Sequence, residues 1–300
     1  MKVIKVKFKL LYFLFPALLL LSCSGKGKEE PEKPAGGEPA QLTVMSFNVR
    51  SSTITADTGD RHWDKRKFAV QNMIKEIRPD VIGMQEATKN QRQDLLNLLE
   101  GYELFEVPGT GTSKGGNTVL MYNTAVLEAL QCKSFYLSGT PDKPSVNGWN
   151  EETQYRTTIW AQFRHRASGK EFFLADTHMP LGSENRDNTA RANAAALNIS
   201  RMKAAAGEDA PLFIVGDMNT SLPEKGLAPY YEWMSSARDK AVKTDATLSF
   251  NNYGGGSNSN LDHIFYRNVL VSEFRTVSGK NYGVTYVSDH YPVICYATVL

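Results

Sequence analysis

Short apolar runs typical of β-strands recur along the chain from residue 41 onward, and several of them follow one another without an intervening helix. The sheets are therefore expected to be mixed rather than purely parallel. A domain of about 260 residues also exceeds the usual size of a single core. We predict an α/β fold in which two packed mixed sheets carry outer helices. The predicted strands are 42–49, 81–84, 118–122, 126–137, 157–165, 171–177, 212–215, 261–267, 269–277 and 292–300, and the predicted helices are 64–77, a second one that ends at Gly101, and 188–202.

The first 40 residues have the features of an export signal followed by a linker. Four lysines precede an apolar run that is too short and too one-sided for a comfortable membrane span. The run ends in Leu20-Leu21-Ser22-Cys23, which resembles the bacterial lipobox, where the cysteine is lipidated. We predict a lipoprotein signal peptide over residues 1–22 and a membrane anchor at Cys23, on the periplasmic or outer surface of the cell envelope. A plain signal peptide or an uncleaved anchor is the alternative. Residues 23–40 are rich in Gly, Pro, Lys and Glu and predict a flexible tether, which leaves one domain over 41–300.

Polar residues follow the apolar strands at the points where the strands end or begin. Taken singly, each is explained as a turn former or a surface residue. Their repetition at strand ends favours a shared site, because such ends meet at one edge of a sheet. The residues are Asn48, Glu86, His178, Asp217, Asn219, Asp262, Asp289 and His290.

The chemistry of these side chains favours hydrolysis of a phosphate ester. Carboxylate oxygens such as those of Glu86 suit hard cations, Mg²⁺ or Ca²⁺, which bind through one or two carboxylates together with substrate phosphate. Asparagine amides can bind phosphate oxygens without adding negative charge. Histidines beside carboxylates accept or donate protons near neutral pH. We therefore expect a metal-dependent phosphoesterase.

At these residues the sequence resembles the endonuclease/exonuclease/phosphatase superfamily, which includes pancreatic-type deoxyribonucleases, abasic-site endonucleases, bacterial sphingomyelinases and inositol polyphosphate phosphatases. The resemblance extends over about residues 42–293 and implies a four-layer αββα sandwich and a Mg²⁺ cofactor, or Mn²⁺ or Ca²⁺ in its place. Its pieces are Ser46-Phe47-Asn48-Val49-Arg50, Gln85-Glu86, Asp176-Thr177-His178, Gly216-Asp217-Met218-Asn219, Leu261-Asp262-His263-Ile264 and Ser288-Asp289-His290-Tyr291-Pro292-Val293.

The resemblance assigns the metal and substrate contacts. It implies that Glu86 is the principal metal ligand, that Asn48 holds metal water or phosphate, and that Asp289 lies on the metal side. Arg156 matches a family arginine that can contact substrate phosphate, and a strand-edge charge explains it equally well. Trp149, in the loop 146–150, is a candidate for stacking on a base, sugar or lipid head group, or for anchoring its own loop.

The resemblance also assigns the catalytic residues. Asp217 is expected to orient or deprotonate the attacking water, with Asn219 positioning the phosphate. His290, polarised by Asp262, is expected to contact the scissile phosphate. His178 is expected to donate a hydrogen bond or proton toward the leaving oxygen. Either Asp217 or the Asp262/His290 pair can be the base at this point.

The charge balance gives little support for a polyanionic partner. The chain carries 34 Lys+Arg and 32 Asp+Glu, a net charge of +2, which becomes −2 once the leader with its four lysines is removed. Residues 61–67 form the most basic cluster, and solvated charges at a helix start explain it as well as DNA contact does. Arg50 stands where abasic-site endonucleases carry an acidic residue, which argues against a DNA-repair enzyme. A secreted DNase-like nuclease is the alternative and a non-catalytic binding lipoprotein is less favoured; a monomer is expected.

Overall fold

The computed structural model describes residues 37–108, 115–221, 225–256 and 259–300, which form one compact unit that begins at Gly37. The predicted signal peptide, Cys23 and most of the tether lie outside these residues and stay predictions. Ala40, the last residue of the predicted tether, lies in the first strand and pairs with Val299. None of the helices in the described ranges is long and apolar enough to span a membrane.

The described residues form twelve strands and five α-helices. The strands are β1 (Ala40–Asn48), β2 (Val81–Gln85), β3 (Tyr102–Glu106), β4 (Val119–Asn123), β5 (Leu127–Tyr136), β6 (Thr157–His165), β7 (Glu171–His178), β8 (Leu212–Asp217), β9 (Ser235–Ser236), β10 (Asp262–Arg267), β11 (Leu270–Thr276) and β12 (Val293–Val299). The helices are α1 (Trp63–Ile77), α2 (Lys89–Leu98), α3 (Asn185–Ala206), α4 (Ala228–Trp233) and α5 (Ala237–Lys240).

The strands form two six-stranded mixed sheets, in the orders β11-β12-β1-β2-β4-β3 and β5-β6-β7-β8-β10-β9. Each sheet has one parallel pair at its centre, β1 with β2 and β7 with β8, and the other pairs are antiparallel. A long helix connects the two strands of each parallel pair, α1 in the first sheet and α3 in the second. The sheets are therefore mixed, as the sequence predicts.

The helices and sheets form four layers, with a hydrophobic cluster between each pair of adjacent layers. One lies between the two sheets, one between the first sheet and α1 and α2, and one between the second sheet and α3 and α4. Examples are Val44 and Val215 between the sheets, Met45 and Met73 beneath α1, and Ile214 and Ala195 beneath α3. The predicted four-layer αββα sandwich is confirmed.

The two cysteines of the domain carry free thiols. Cys295 is buried in the cluster between the sheets, and Cys132 is half-buried against that cluster. Burial raises the pKa of the Cys132 thiol to about 12 and raises that of Cys295 further. The sequence alone allows either a disulfide between Cys132 and Cys295 or two free thiols, and the structure has the free thiols.

Candidate active site

The alternation of side chains along the central strands carries polar groups to one edge of the layer between the sheets. In β1, Leu42 and Val44 face that layer, so Asn48, four residues beyond Val44, points to the same side at the end of the strand. In β8, Val215 faces the layer and Asp217 follows two residues later. Each strand thus contributes apolar residues to the core and one polar residue to its edge.

Strand pairing places the polar residues of the second sheet side by side. His178 is the register partner of Asp217 across the parallel pair β7 and β8, and Asp262 is its partner across the antiparallel pair β8 and β10. The segment before β12 joins them from the first sheet, because the Ser288 hydroxyl donates a hydrogen bond to the Asn48 carbonyl at 2.7 Å. The ends of both sheets therefore meet at one site.

The backbone beside the site adopts strained conformations. Arg50, Glu86 and Asn219 follow the ends of β1, β2 and β8, and their φ angles are +59°, +62° and +51°. A non-glycine residue in this left-handed region costs about 1–3 kcal/mol and persists only where the surroundings impose it. At Gly216 a side chain has no room, because an added Cβ would lie 1.9 Å from the carbonyl oxygen of Thr177. The backbone is therefore strained at the positions that orient these side chains.

Asp217 lies at the centre of the site and is almost fully buried. Its Oδ2 accepts a hydrogen bond from Asn48 Nδ2 at 2.9 Å, and its Oδ1 accepts one from the backbone N–H of Asn219, also at 2.9 Å. Burial raises its pKa to about 6; the nearby His290 opposes this rise and the Asp262 carboxylate adds to it. Asp217 is therefore a carboxylate that can take up a proton near neutral pH.

His290 and Asp262 form a buried ion pair next to Asp217. His290 Nδ1 donates to Asp262 Oδ2 at 2.8 Å, and His290 Nε2 lies 3.9 Å from Asp217 Oδ2. Burial alone would lower the pKa of His290, but the carboxylates of Asp262 and Asp217 raise it to about 10. His290 is consequently a cation at pH 7, with its Nε2–H directed at the centre of the site.

Oxygen donors gather on the side of the first sheet. Glu86 accepts hydrogen bonds from Asn48 Nδ2 at 3.1 Å and from the backbone N–H of Ser51 at 2.9 Å. Burial raises the pKa of Asp289, and the nearby Glu86 carboxylate adds to the rise. A cation between these carboxylates would relieve their repulsion, and the donors are of the type that Mg²⁺, Mn²⁺ and Ca²⁺ prefer. The residues present therefore fit a hard divalent ion.

A second group of side chains has the geometry of a metal site but is better explained by proton chemistry. Single ligand atoms of Asp217, Asp262 and His290 all lie within 4.8 Å of one another. A protonated imidazole cannot bind a metal, and the proton on His290 already neutralises charge between the two carboxylates. This group is therefore suited to proton transfer and charge stabilisation, and the carboxylates around Glu86 are the better fit for a metal.

A cleft of about 230 Å³ lies at this edge of the sheets, and Glu86, Arg156, His178 and Asn219 are among the residues that line it. Arg156 is buried at the wall, where its Nε donates to Glu152 Oε1 at 2.7 Å. His178 Nε2 lies 3.6 Å from Asp217 Oδ2. Burial and the positive charges of Arg156 and His290 hold the pKa of His178 well below its usual range, so that it is neutral and can donate a hydrogen bond.

The sequence model of the Endonuclease/Exonuclease/phosphatase family matches residues 45–290, a range that contains every side chain placed in the site above. The chain belongs to the endonuclease/exonuclease/phosphatase family. Members of this family are phosphoester hydrolases that generally use a divalent metal.

Solved structures share this fold. An endonuclease/exonuclease/phosphatase from Bacteroides vulgatus is 26% identical, has a TM-score of 0.78, and is matched over 87% of this chain and 100% of its own. A mannosyl-6-phosphatase from Bacteroides thetaiotaomicron is 25% identical, with a TM-score of 0.75 and coverage of 85% and 99%. D. rerio TDP2, solved with a single-stranded DNA product, is 19% identical with a TM-score of 0.65 and coverage of 86% and 99%, which shows a common fold.

Trp149 lies apart from the side chains that meet around Asp217. Its side chain is half-buried against the hydrophobic cluster of α3 and α4, and its backbone N–H donates to Asn147 Oδ1 at 2.6 Å. Trp149 thus anchors its own loop, the alternative that the sequence left open, and its assignment to substrate binding is not supported by its position.

Two polar features of the site were not assigned from the sequence. Arg50 Nη1 lies 3.0 Å from Asp289 Oδ2 and Nε lies 3.0 Å from Asp57 Oδ2, so its guanidinium holds a candidate metal ligand at the edge of the cleft. Beneath the site, Gln85 Nε2 donates to Asp176 Oδ1 at 2.5 Å across the two sheets. Burial raises the pKa of Asp176 well above its usual range. For Arg50, Gln85 and Asp176, the only signal in the sequence was their place in the family motifs.

Proposed function

We propose that this protein is a divalent-metal-dependent phosphoesterase in which Asp217 is the catalytic base. The observation that carries the proposal is the adjacency of Asp217 and His290 in one buried site, where both pKa values are raised and that of His290 is raised further, so that the two lie on either side of neutral pH. The pKa of Asp217 is about 6 and that of His290 is about 10, so at pH 7 the first is a carboxylate and the second a cation. Two adjacent groups whose environments push their pKa values apart are the mark of an acid and base assignment.

The residues divide the hydrolysis among them. Asp217 removes a proton from water, the water oxygen forms a bond to phosphorus, and the ester P–O bond breaks with its electron pair on the leaving oxygen. The His290 cation stabilises the negative charge on the phosphoryl oxygens. Neutral His178 donates a hydrogen bond toward the leaving oxygen, and the leaving alkoxide takes its proton from solvent.

The metal would be held by Glu86 and Asp289, with the Asn48 amide beside them. When bound, the ion supplies neutralisation of phosphate charge, and Mg²⁺ is the ion we propose, with Mn²⁺ or Ca²⁺ as substitutes. Asn48 Nδ2 already links Glu86 to Asp217 by hydrogen bonds, so the same amide fixes the metal side relative to the base. Arg50 restrains Asp289 from the other direction.

The surroundings of the cleft favour a small phosphate ester over nucleic acid. A groove continues from the cleft past Arg156 and Leu181, and its walls carry four carboxylates against two arginines. A polyanion extending along this groove would meet excess negative charge, whereas the hydroxyls of a neutral leaving group could bond to it. The similarity to a mannosyl-6-phosphatase supports a sugar phosphate as the substrate class. The carboxylates are Glu151, Glu152, Glu184 and Asp187.

The purified domain is expected to release phosphate from sugar phosphates in the presence of Mg²⁺ and to stop when the metal is chelated. The assay compares hexose phosphates, a chromogenic phosphodiester, phospholipid vesicles and single-stranded and duplex DNA at equal phosphate concentration. Degradation of DNA at low salt without turnover of sugar phosphates would establish the nuclease instead. No metal-dependent turnover of any substrate would refute the proposed function.

Glu86→Gln is expected to weaken metal binding while leaving the fold intact. The amide keeps an oxygen that can accept the Ser51 N–H but loses the negative charge that attracts the ion. At 100 times its dissociation constant a ligand stabilises a protein by about 2.7 kcal/mol. For a domain of this size we therefore expect Mg²⁺ to raise the melting temperature by about 5–10 °C in the parent and by far less in Glu86→Gln.

The matched control is Glu128→Gln, which removes an exposed carboxylate on β5 that pairs with Arg164 on β6. Its Mg²⁺-dependent shift should equal that of the parent. Equal shifts in Glu86→Gln and the parent would remove Glu86 from the metal site.

A further inference from the structure

Arg66 belongs to the most basic cluster of the sequence, yet its side chain is completely buried. It lies in the first turn of α1, and among the ion pairs of the described residues none involves it. An arginine side chain keeps its charge in proteins, and a buried charge is costly unless its donors are satisfied. The N–H groups of this guanidinium therefore need hydrogen-bond acceptors inside the protein.

The guanidinium of Arg66 donates to four backbone carbonyls. Its Nε bonds to Arg61 O at 2.7 Å and its Nη2 bonds to Arg50 O at 3.0 Å. Its Nη1 bonds both to Val49 O at 2.7 Å and to Val287 O at 2.9 Å. A single planar group thus ties together the turn before α1, the segment after β1 and the segment before β12.

Two of these segments carry the groups of the active site. Val49 and Arg50 directly follow Asn48, whose amide bonds to both Glu86 and Asp217. Val287 stands three residues before His290 in the same loop. The metal side and the charge-stabilising side of the site are therefore both tied to the one buried guanidinium.

We propose that Arg66 is a positioning residue, which sets the distance between the Asn48 segment and the Asp289–His290 segment. It acts through their backbones and touches no reacting atom, and the proposal rests on the proposed function for its catalytic consequence. The planar fork of Arg66 reaches these carbonyls from three nitrogens held in fixed directions, and the single nitrogen of a lysine ammonium cannot reproduce all four bonds. The charge is retained in Arg66→Lys, so that variant isolates the geometry.

The test compares Arg66→Lys with Arg267→Lys. Arg267 also bridges two segments through their carbonyls, Glu208 O at 3.1 Å and Trp233 O at 2.9 Å, but at the opposite end of β10 from the site. A misplacement of about 1 Å in an active site costs about 100-fold in rate. At saturating Mg²⁺ we expect kcat to fall by about 100-fold in Arg66→Lys with KM within about threefold of the parent. In Arg267→Lys both constants should stay within about twofold.

A second measurement does not depend on activity. In the metal-free protein, amide hydrogen exchange should become faster in residues 49–51 and 287–290 of Arg66→Lys and stay unchanged there in Arg267→Lys. If Arg66→Lys does not fold, Arg66→Met replaces the buried charge with an apolar side chain of similar length and is measured in the same way.

The outcomes separate the two proposals. Unchanged exchange in these segments, or a kcat loss no larger than that of Arg267→Lys, would overturn the positioning assignment. Faster local exchange in a protein whose parent form hydrolyses no phosphate ester would retain the structural link and overturn the proposed function, and with it the catalytic consequence.

Discussion

Asp217→Asn should lower kcat by about 10²–10⁴-fold, the range that a general base contributes. Asparagine has the same shape and keeps one acceptor oxygen for the Asn219 N–H, so the fold and the strand pairing around it should survive. It has no basic group that can remove a proton from water. In the parent, activity should fall as the pH drops through about 6, because Asp217 then gains a proton. The residual activity of the variant should lack this acidic limb.

The control for this substitution is Asp245→Asn. Asp245 also accepts backbone hydrogen bonds, from Thr247 at 2.8 Å and Thr276 at 2.6 Å, but it is not among the residues of the site. Its substitution should leave kcat within about twofold of the parent. If Asp217→Asn retained more than a tenth of the parent rate, the base would have to be sought elsewhere, with Asp262 and His290 as the remaining candidates.

The central strands could be predicted because each is an apolar run with a distinct boundary. The strand predicted over 212–215 is buried on both faces, toward the other sheet and toward α3, and its residues are apolar without a break. The helix α1 could be predicted from its periodicity and from Pro79, and it ends where Arg78 takes a left-handed conformation. Local sequence is sufficient for such elements because burial on a defined face determines their composition.

The elements that were missed depend on tertiary contacts. The strand β3 lies at the edge of its sheet, its residues are half-buried or exposed, and Glu103 and Glu106 interrupt its pattern. The two-residue strand β9 exists only through its pairing with β10. The helices α4 and α5 are too short to show a helical period. No pattern within these segments distinguishes them from loops.

The candidate site could likewise be predicted only in part from the sequence. Asn48, His178 and Asp217 could be located because each follows an apolar strand, and their side chains indeed meet. The direction of the guanidinium of Arg66 could not be predicted, because a basic residue at a helix start is normally solvated and its carbonyl partners extend to Val287. The choice of base was also open, because it depends on burial and neighbouring charges, which raise the pKa of Asp217 to about 6 and that of His290 to about 10.

His290→Gln is the second substitution for which we expect a large loss, about 10²–10³-fold in kcat. Glutamine can still donate one hydrogen bond into the site, but it carries no positive charge, and charge is what develops on the phosphoryl oxygens as the ester bond breaks. Because the carboxylates of Asp262 and Asp217 hold the pKa of His290 at about 10, the parent should keep its rate up to that pH and lose it as the imidazole gives up its proton. Mild alkali should therefore leave the parent active, whereas His290→Gln should be slow at every pH and show no loss near pH 10.

The matched control is His165→Gln, at the end of β6, where the imidazole Nδ1 bonds to the Ser168 hydroxyl at 2.9 Å outside the site. It should keep both the rate and the alkaline limb of the parent. Asp262→Asn supplies the decisive comparison, since it removes the partner carboxylate 2.8 Å from His290 Nδ1 and so lowers the pKa of the imidazole. Its remaining activity should begin to fall at a lower pH than that of the parent. An alkaline limb that stays at the same pH in Asp262→Asn, or that persists in His290→Gln, would mean that another group titrates there and that the site does not depend on a protonated His290.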